Sequence, residues 1–383
     1  MRKPLIIAAL VALLAALAGL AAPSAKPSRG LIVGIFDEQS SLGRPDWAFP
    51  QYKTLGVKAL RVNLYWGGVS GVARKRRPAN AVNPADPAYD WAIYDTLVKR
   101  AAENRIKLVF SIVWTPPWAT TVPGKKNRAP KRMVDLQNFA FAAAKRYSGS
   151  FRPVEDGPPL PAVKFWLAWN EPNNPVFLRP QFAYLGRGRY RAVSPGIYAK
   201  MCNAIWRGVH LTGVRGEKVA CGVTSPRGNN SGQQPRSSLS PIVFLRGLKR
   251  AGARFDAYAH HPYYGHPRET PRTPPPLRGT AVTLGNINML IRELTRLYGP
   301  KRVWLTEYGY QTNPPDRSFG VSYAKQARYL TQSFAIARAH PRIDMMIWFL
   351  MKDEARITGW QSGFYTASGR RKPSWTAFRR VRK

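Results

Sequence analysis

Eight apolar, β-rich runs recur along the chain, at 31–36, 59–66, 107–114, 163–169, 218–224, 255–261, 302–306 and 343–349. They alternate with longer segments of helical spacing, a rhythm that argues for parallel βα units. Eight such units, in a chain somewhat longer than the usual ~250 residues, predict a single (β/α)8 TIM barrel with extended βα loops. The expected domain runs over 30–383. An open doubly wound sheet uses the same units but places a glycine-rich phosphate loop after its first strand. Here that position holds Asp37-Glu38-Gln39-Ser40.

Helical spacing is clearest in Tyr89, Ile93, Leu97 and Ala101, in Ile287, Leu290, Leu294 and Leu297, and in Tyr323, Ala327, Leu330 and Phe334. Asp86-Pro87, Ser194-Pro195 and Ser240-Pro241 read as helix starts, a capping side chain followed by a proline in the first turn. Gly56, Gly149, Gly213, Gly252 and Gly299 read as stops. The last helix is expected at 373–382. Surplus length follows the strands, at 67–84, 115–132, 174–193, 225–239 and 265–280. In a barrel those segments rim the face where sites are built. Around Thr273-Pro274-Pro275-Pro276, the cations Arg268, Arg272 and Arg278 are placed to read an anion, or else the segment is a solvated loop.

The chain opens with Met1-Arg2-Lys3-Pro4, an uncharged apolar stretch at 5–22 and Pro23-Ser24-Ala25-Lys26, the layout of a secretory signal cut after Ala21 or Ala22. Roughly 18 apolar residues also suffice to span a bilayer, so an uncleaved anchor is the alternative. Two cysteines occur, Cys202 on an expected helix and Cys221 on the strand after it; a bridge in an oxidising compartment and two buried thiols both fit.

Sixty Lys and Arg against 20 Asp and Glu give a net charge of +40. The cations are scattered, with only short clusters at 74–77, 125–132 and 379–383, which argues against a nucleic-acid interface in an exported protein. A basic surface suits association with an anionic envelope polymer or an acidic polysaccharide, and an Arg-rich genomic bias would give the same composition.

Two carboxylates end apolar runs inside distinctive sequences, Glu171 in Trp169-Asn170-Glu171-Pro172-Asn173 and Glu307 in Thr306-Glu307-Tyr308-Gly309. They close the fourth and seventh expected strands, on opposite sides of a barrel mouth. Glycosidic cleavage needs two carboxyl groups facing each other, one to protonate the leaving oxygen and one to meet the developing positive charge. Asn170 is placed to donate to a sugar hydroxyl, while Arg61 and Tyr263 are placed to hold Glu307 ionised. Trp169 and Pro172 give Glu171 the apolar surroundings a general acid needs. Trp348, Trp114 and Trp118 offer flat faces for sugar rings. The five histidines, of which only His260, His261 and His266 cluster, lack metal-ligand spacing, so neither a metal nor a cofactor is expected.

These motifs resemble the retaining glycoside hydrolases of clan A, near families 5 and 39. The resemblance implies that Glu171 is the general acid/base and Glu307 the nucleophile. Ala59-Leu60-Arg61-Val62 is similar to the clan's second strand, His261-Pro262-Tyr263 to its His-x-Tyr after strand six, and Ile347-Trp348-Phe349 to its strand-eight tryptophan. Trp114-Thr115-Pro116-Pro117-Trp118 is similar to the third-strand end of several clan families, but lacks the His that many family 5 enzymes carry there. The expectation is thus a secreted, monomeric retaining glycosidase acting on a poly- or oligosaccharide. A catalytically silent barrel that binds envelope polysaccharide, and a transglycosylase, are its rivals.

Overall fold

The computed structural model describes residues 30–276 and 280–381. The signal stretch, Arg278 and the expected end of the last helix at Arg382 lie outside the described residues.

Eight parallel strands close a barrel in the order β1 (Ile32–Phe36), β2 (Ala59–Tyr65), β3 (Lys107–Val113), β4 (Phe165–Ala168), β7 (Lys218–Thr224), β8 (Ala257–His260), β9 (Arg302–Tyr308) and β10 (Ile343–Phe349), which pairs back on β1. β5 (Phe182–Tyr184) and β6 (Tyr190–Ala192) form a separate antiparallel ribbon in the loop after β4. This ribbon has no counterpart in the sequence reading, because three-residue strands carry too few alternations to register.

Nine helices wrap the described barrel: α1 (Glu38–Gly43), α2 (Pro45–Leu55), α3 (Ala92–Glu103), α4 (Met133–Arg146), α5 (Ser194–His210), α6 (Pro241–Arg250), α7 (Ile287–Tyr298), α8 (Tyr323–Ala339) and α9 (Pro373–Arg380). Gly56 and Gly299 end α2 and α7 at positive φ, a backbone conformation that is strained for residues with a Cβ. Two sequence expectations shift. Asp86-Pro87 opens a turn instead of a helix: the Asp86 carboxylate accepts the amides of Asn80 and Ala88, and α3 begins six residues after Asp86, at Ala92. Ile93 is exposed, and α3 buries Tyr94, Leu97, Val98 and Ala101 instead.

Strand alternation separates two cores. Residues such as Ala59, Val109, Leu167, Ala257, Trp304 and Ile347 fill the barrel, while their strand neighbours Leu60, Phe110, Trp166, Leu305 and Trp348 pack outward against the helices. No described helix is long and apolar enough to cross a membrane. Cys202 on α5 and Cys221 on β7 are joined by a disulfide, their Cα atoms 6.1 Å apart.

Candidate active site

The mouth of the barrel departs from regular strand geometry where the carboxylates sit. After β4 the backbone turns through Trp169 at φ 69° and Glu171 at φ 37°, left-handed conformations that are strained for residues with a Cβ. Fixed neighbours hold that turn: Trp169 N donates to Ile112 O and Glu171 N to Val223 O, both at 2.9 Å. Asn173 adds a staple, accepting Ser225 N and donating to Leu239 O, each at 2.8 Å. On β9, pairing with β10 advances three residues, Leu305 to Tyr308, while its partner advances two, Met346 to Trp348. That bulge breaks the alternation and aims both Thr306 and Glu307 at the axis.

Arg61, on β2 and fully buried, is the hub. Its Nη1 donates to Glu307 Oε2 at 3.0 Å and to Thr306 O at 2.9 Å, and its Nη2 donates to Asn170 Oδ1 at 2.6 Å. The guanidinium lies over the Phe36 ring, 4.3 Å from its centroid. Tyr263 OH donates to the other Glu307 oxygen at 2.9 Å. Glu307 is thus held between a full positive charge and a hydroxyl.

Glu171 lies in a different environment. Its Oε2 accepts from Asn174 Nδ2 at 3.1 Å and its Oε1 meets His261 Nδ1 at 3.0 Å. His261 Nε2 lies 3.1 Å from both Arg61 Nη1, which can only donate, and the Thr306 hydroxyl, and as an acceptor there it leaves the ring proton on Nδ1, facing Glu171. Burial keeps this imidazole neutral, its pKa pushed down to about 3. Burial also lifts the Glu171 carboxyl to about 7, against the lowering effects of Asn174 and Arg61. One carboxyl is therefore held protonated near neutrality beside one that is charge-paired.

Glu171, His261 and Glu307 bring one ligand-type atom each within 4.8 Å of one another. Such a trio has the atoms for a cation, but Arg61 already places a fixed charge 3.0 Å from Glu307. A metal ion there would face its repulsion.

Of the residues singled out from sequence, Glu171, Glu307, Asn170, Arg61, His261 and Tyr263 converge at this point. Asn170 Nδ2 has no hydrogen-bond partner among the described residues and remains available. His261 and Arg61 are fully buried, so they position the carboxylates and do not face the open cleft. Trp348 is a correction. It is fully buried on the outward face of β10, stacked on Phe364 and donating to Ser362 O at 2.9 Å, with no face to offer. The inward residue is its neighbour Phe349. Trp114 and Trp118 are half-buried and do not line the cavity that holds Glu171, although Trp114 packs edge-on to Trp169. Trp114 stacks on Phe177 under Lys126, and Trp118 packs edge-on to Trp66 and donates to Ala73 O at 2.7 Å.

Trp360 lies 4.9 Å centroid to centroid from Tyr263 and 5.4 Å from Phe349, and it lines a 450 Å3 cavity with Glu171. Sequence reasoning missed it because it lies eleven positions beyond the end of β10, in a loop without periodicity. Of the other strand-end acids, Asp37 caps α1 and accepts from Tyr52 OH at 2.7 Å, and Asp353 pairs with buried Lys372 at 2.7 Å. Glu38 Oε2 accepts from Asn63 at 2.7 Å and borders a second cavity beside Phe349.

No protein-family model and no curated protein sequence matches this chain. Solved structures do resemble it. A family 39 glycoside hydrolase from Bacteroides cellulosilyticus WH2 superposes with a TM-score of 0.61 at 18% identity, over 92% of this chain and 63% of its own. A glucosidase from Croceicoccus marinus gives a TM-score of 0.65 at 14% identity, over 94% and 69%. A monomeric β-xylosidase from Caulobacter crescentus CB15 gives 0.61 at 19%, over 93% and 69%. The chain therefore spans about two thirds of the length of these proteins. The likeness covers nearly all of it, and the fold they share is the (β/α)8 barrel.

Proposed function

We propose that this protein is a retaining O-glycoside hydrolase in which Glu171 is the general acid/base and Glu307 the nucleophile. The observation that carries this reading is the pair of facing carboxyl groups, with oxygens within 4.8 Å, in opposite electrostatic settings. Retaining enzymes hold the two groups ~5–5.5 Å apart and inverting ones ~6.5–9.5 Å, to admit a water. The fold shared with proteins named as a glucosidase and a β-xylosidase adds support.

In this mechanism Glu307 Oε attacks the anomeric carbon while the Glu171 proton passes to the leaving oxygen, breaking the glycosidic bond and forming a glycosyl ester. Glu171, now a carboxylate, takes a proton from water, whose oxygen attacks the same carbon and frees Glu307. Arg61 and Tyr263 hold both oxygens of Glu307 and aim it. His261 carries no charge and relays orientation between the two glutamates. Asn170 Nδ2 is placed to bind a hydroxyl next to the reacting carbon as charge develops there. Trp360 and Phe349 supply apolar faces for the ring. Export through the N-terminal leader is part of the proposal, and the Cys202–Cys221 disulfide is consistent with an oxidising destination.

The test is a hydrolysis screen of aryl β-glycosides and soluble plant and microbial polysaccharides, with Glu307→Gln beside the wild type. Turnover by the wild type that falls to background in the variant is expected. Turnover that survives in Glu307→Gln, or no turnover with retention of both proteins on polysaccharide, overturns the catalytic reading in favour of a binding barrel.

A further inference from the structure

Deepening that reading, the leaving-group side of the cleft carries a cation built into its wall. The cavity beside Glu171 is also lined by Arg227 and Arg236, and among the described residues Glu171 is its only acidic one. The cavity next to Phe349 has the opposite character, with Asp37, Glu38 and Glu354 and no basic residue among the described residues. In a chain with 60 Lys and Arg, the separation of sign across one cleft is informative where the cations themselves are not.

Arg227 is held in place. It is half-buried after β7, and its Nη1 donates to Tyr264 O at 3.1 Å. Gly265 makes room for it, since a Cβ there would collide with the guanidinium. Glu269 neutralises it only in part: the ion pair is long, 3.8 Å, and Glu269 Oε2 already accepts from Gly265 N at 2.8 Å. Burial lowers the Arg227 pKa, a cost that an anion in the cavity offsets. Arg236 stands exposed on the rim, and its guanidinium has no hydrogen-bond or ion-pair partner among the described residues.

We infer that the subsite next to Glu171 takes an acidic sugar as leaving group, with the carboxylate of a uronic acid read by Arg227 and Arg236. A planar carboxylate fits the paired donors of a guanidinium, and Tyr264 lines the same cavity as an apolar wall for the ring. The inference rests on the catalytic reading only in naming which side Glu171 serves.

The experiment is calorimetric titration of the full chain at two salt concentrations with a disaccharide of glucose β-linked to reducing-end glucuronate, and with cellobiose. Wild type, Arg236→Ala, Arg227→Gln and their double variant are compared. A control removes two cations from the outer helices, Lys99→Ala with Lys200→Ala, to cancel the general effect of net charge. We expect the acidic disaccharide to bind at least tenfold more tightly than cellobiose to the wild type and the control, and the preference to vanish in the double variant. Equal affinity for the two sugars, no binding of either, or a preference kept by the double variant overturns the proposal. Turnover followed in parallel separates the two readings. A preference without hydrolysis leaves the subsite and removes the catalysis, whereas hydrolysis without a preference does the reverse.

Discussion

Two glutamates of the same residue type are set to different tasks by their neighbours, and the difference is measurable as a pH limb. Glu171 must be protonated to act as acid, and its carboxyl is lifted to about 7 by burial. Activity on substrates with poor leaving groups is therefore expected to hold below pH 7 and to fall about tenfold per pH unit above it. In Glu171→Gln such substrates lose roughly 10²–10⁴-fold in kcat. Aryl glycosides with strongly acidic leaving groups need no protonation, so they are expected to lose far less. A pH–kcat/KM profile of both proteins on both substrate types checks this, and an alkaline limb that persists in Glu171→Gln would assign it elsewhere. Asn170, Arg61, Glu171 and Glu307 were legible as residues because each belongs to a short local motif. The role of His261 was not, since its tautomer depends on Arg61, 200 positions away.

At the level of the element, the end of β10 decides which aromatic ring faces the cleft. The sequence around Trp348-Phe349 offers either, and a one-residue change of phase exchanges inside for outside. The parallel register with β1, Trp348 opposite Ile35 and Phe349 opposite Phe36, puts Phe349 on the inner face and Trp348 among the helices. Phe349→Ala is accordingly expected to raise KM at least several-fold with little loss of melting temperature. Trp348→Ala is expected to cost about 3–5 kcal/mol of stability through a core cavity, with KM unchanged in whatever fraction stays folded. Thermal melts and steady-state kinetics on the two variants distinguish them, and the reverse pattern would place Trp348 in the cleft after all.

Across the whole molecule, the disulfide ties the outer helical layer to the barrel wall. Cys202 and Cys221 are 19 residues apart in sequence, and closing a loop of that order removes unfolded-state entropy worth about 3 kcal/mol. Spread over the unfolding entropy of a ~350-residue domain, that is a fall of about 4 °C in melting temperature for the double variant Cys202→Ala, Cys221→Ala. Scanning calorimetry of the oxidised wild type and the double variant measures it, and an unchanged Tm would mean that the bridge contributes nothing to stability.

What the sequence determined by itself was whatever is written locally. The eight strand runs, the glycine stops and the two glutamate motifs were readable because hydrophobic periodicity and backbone strain act over a few residues. Tertiary structure alone decided the rest. Arg61 meets Glu307 across 246 positions, a bulge in β9 turns Glu307 inward, and Trp360 returns from a distant loop to the cleft while Trp348 packs outward among the helices. These are consequences of closing the barrel: register, bulges and loop return are set by contacts between segments far apart in the chain, and no local pattern encodes them.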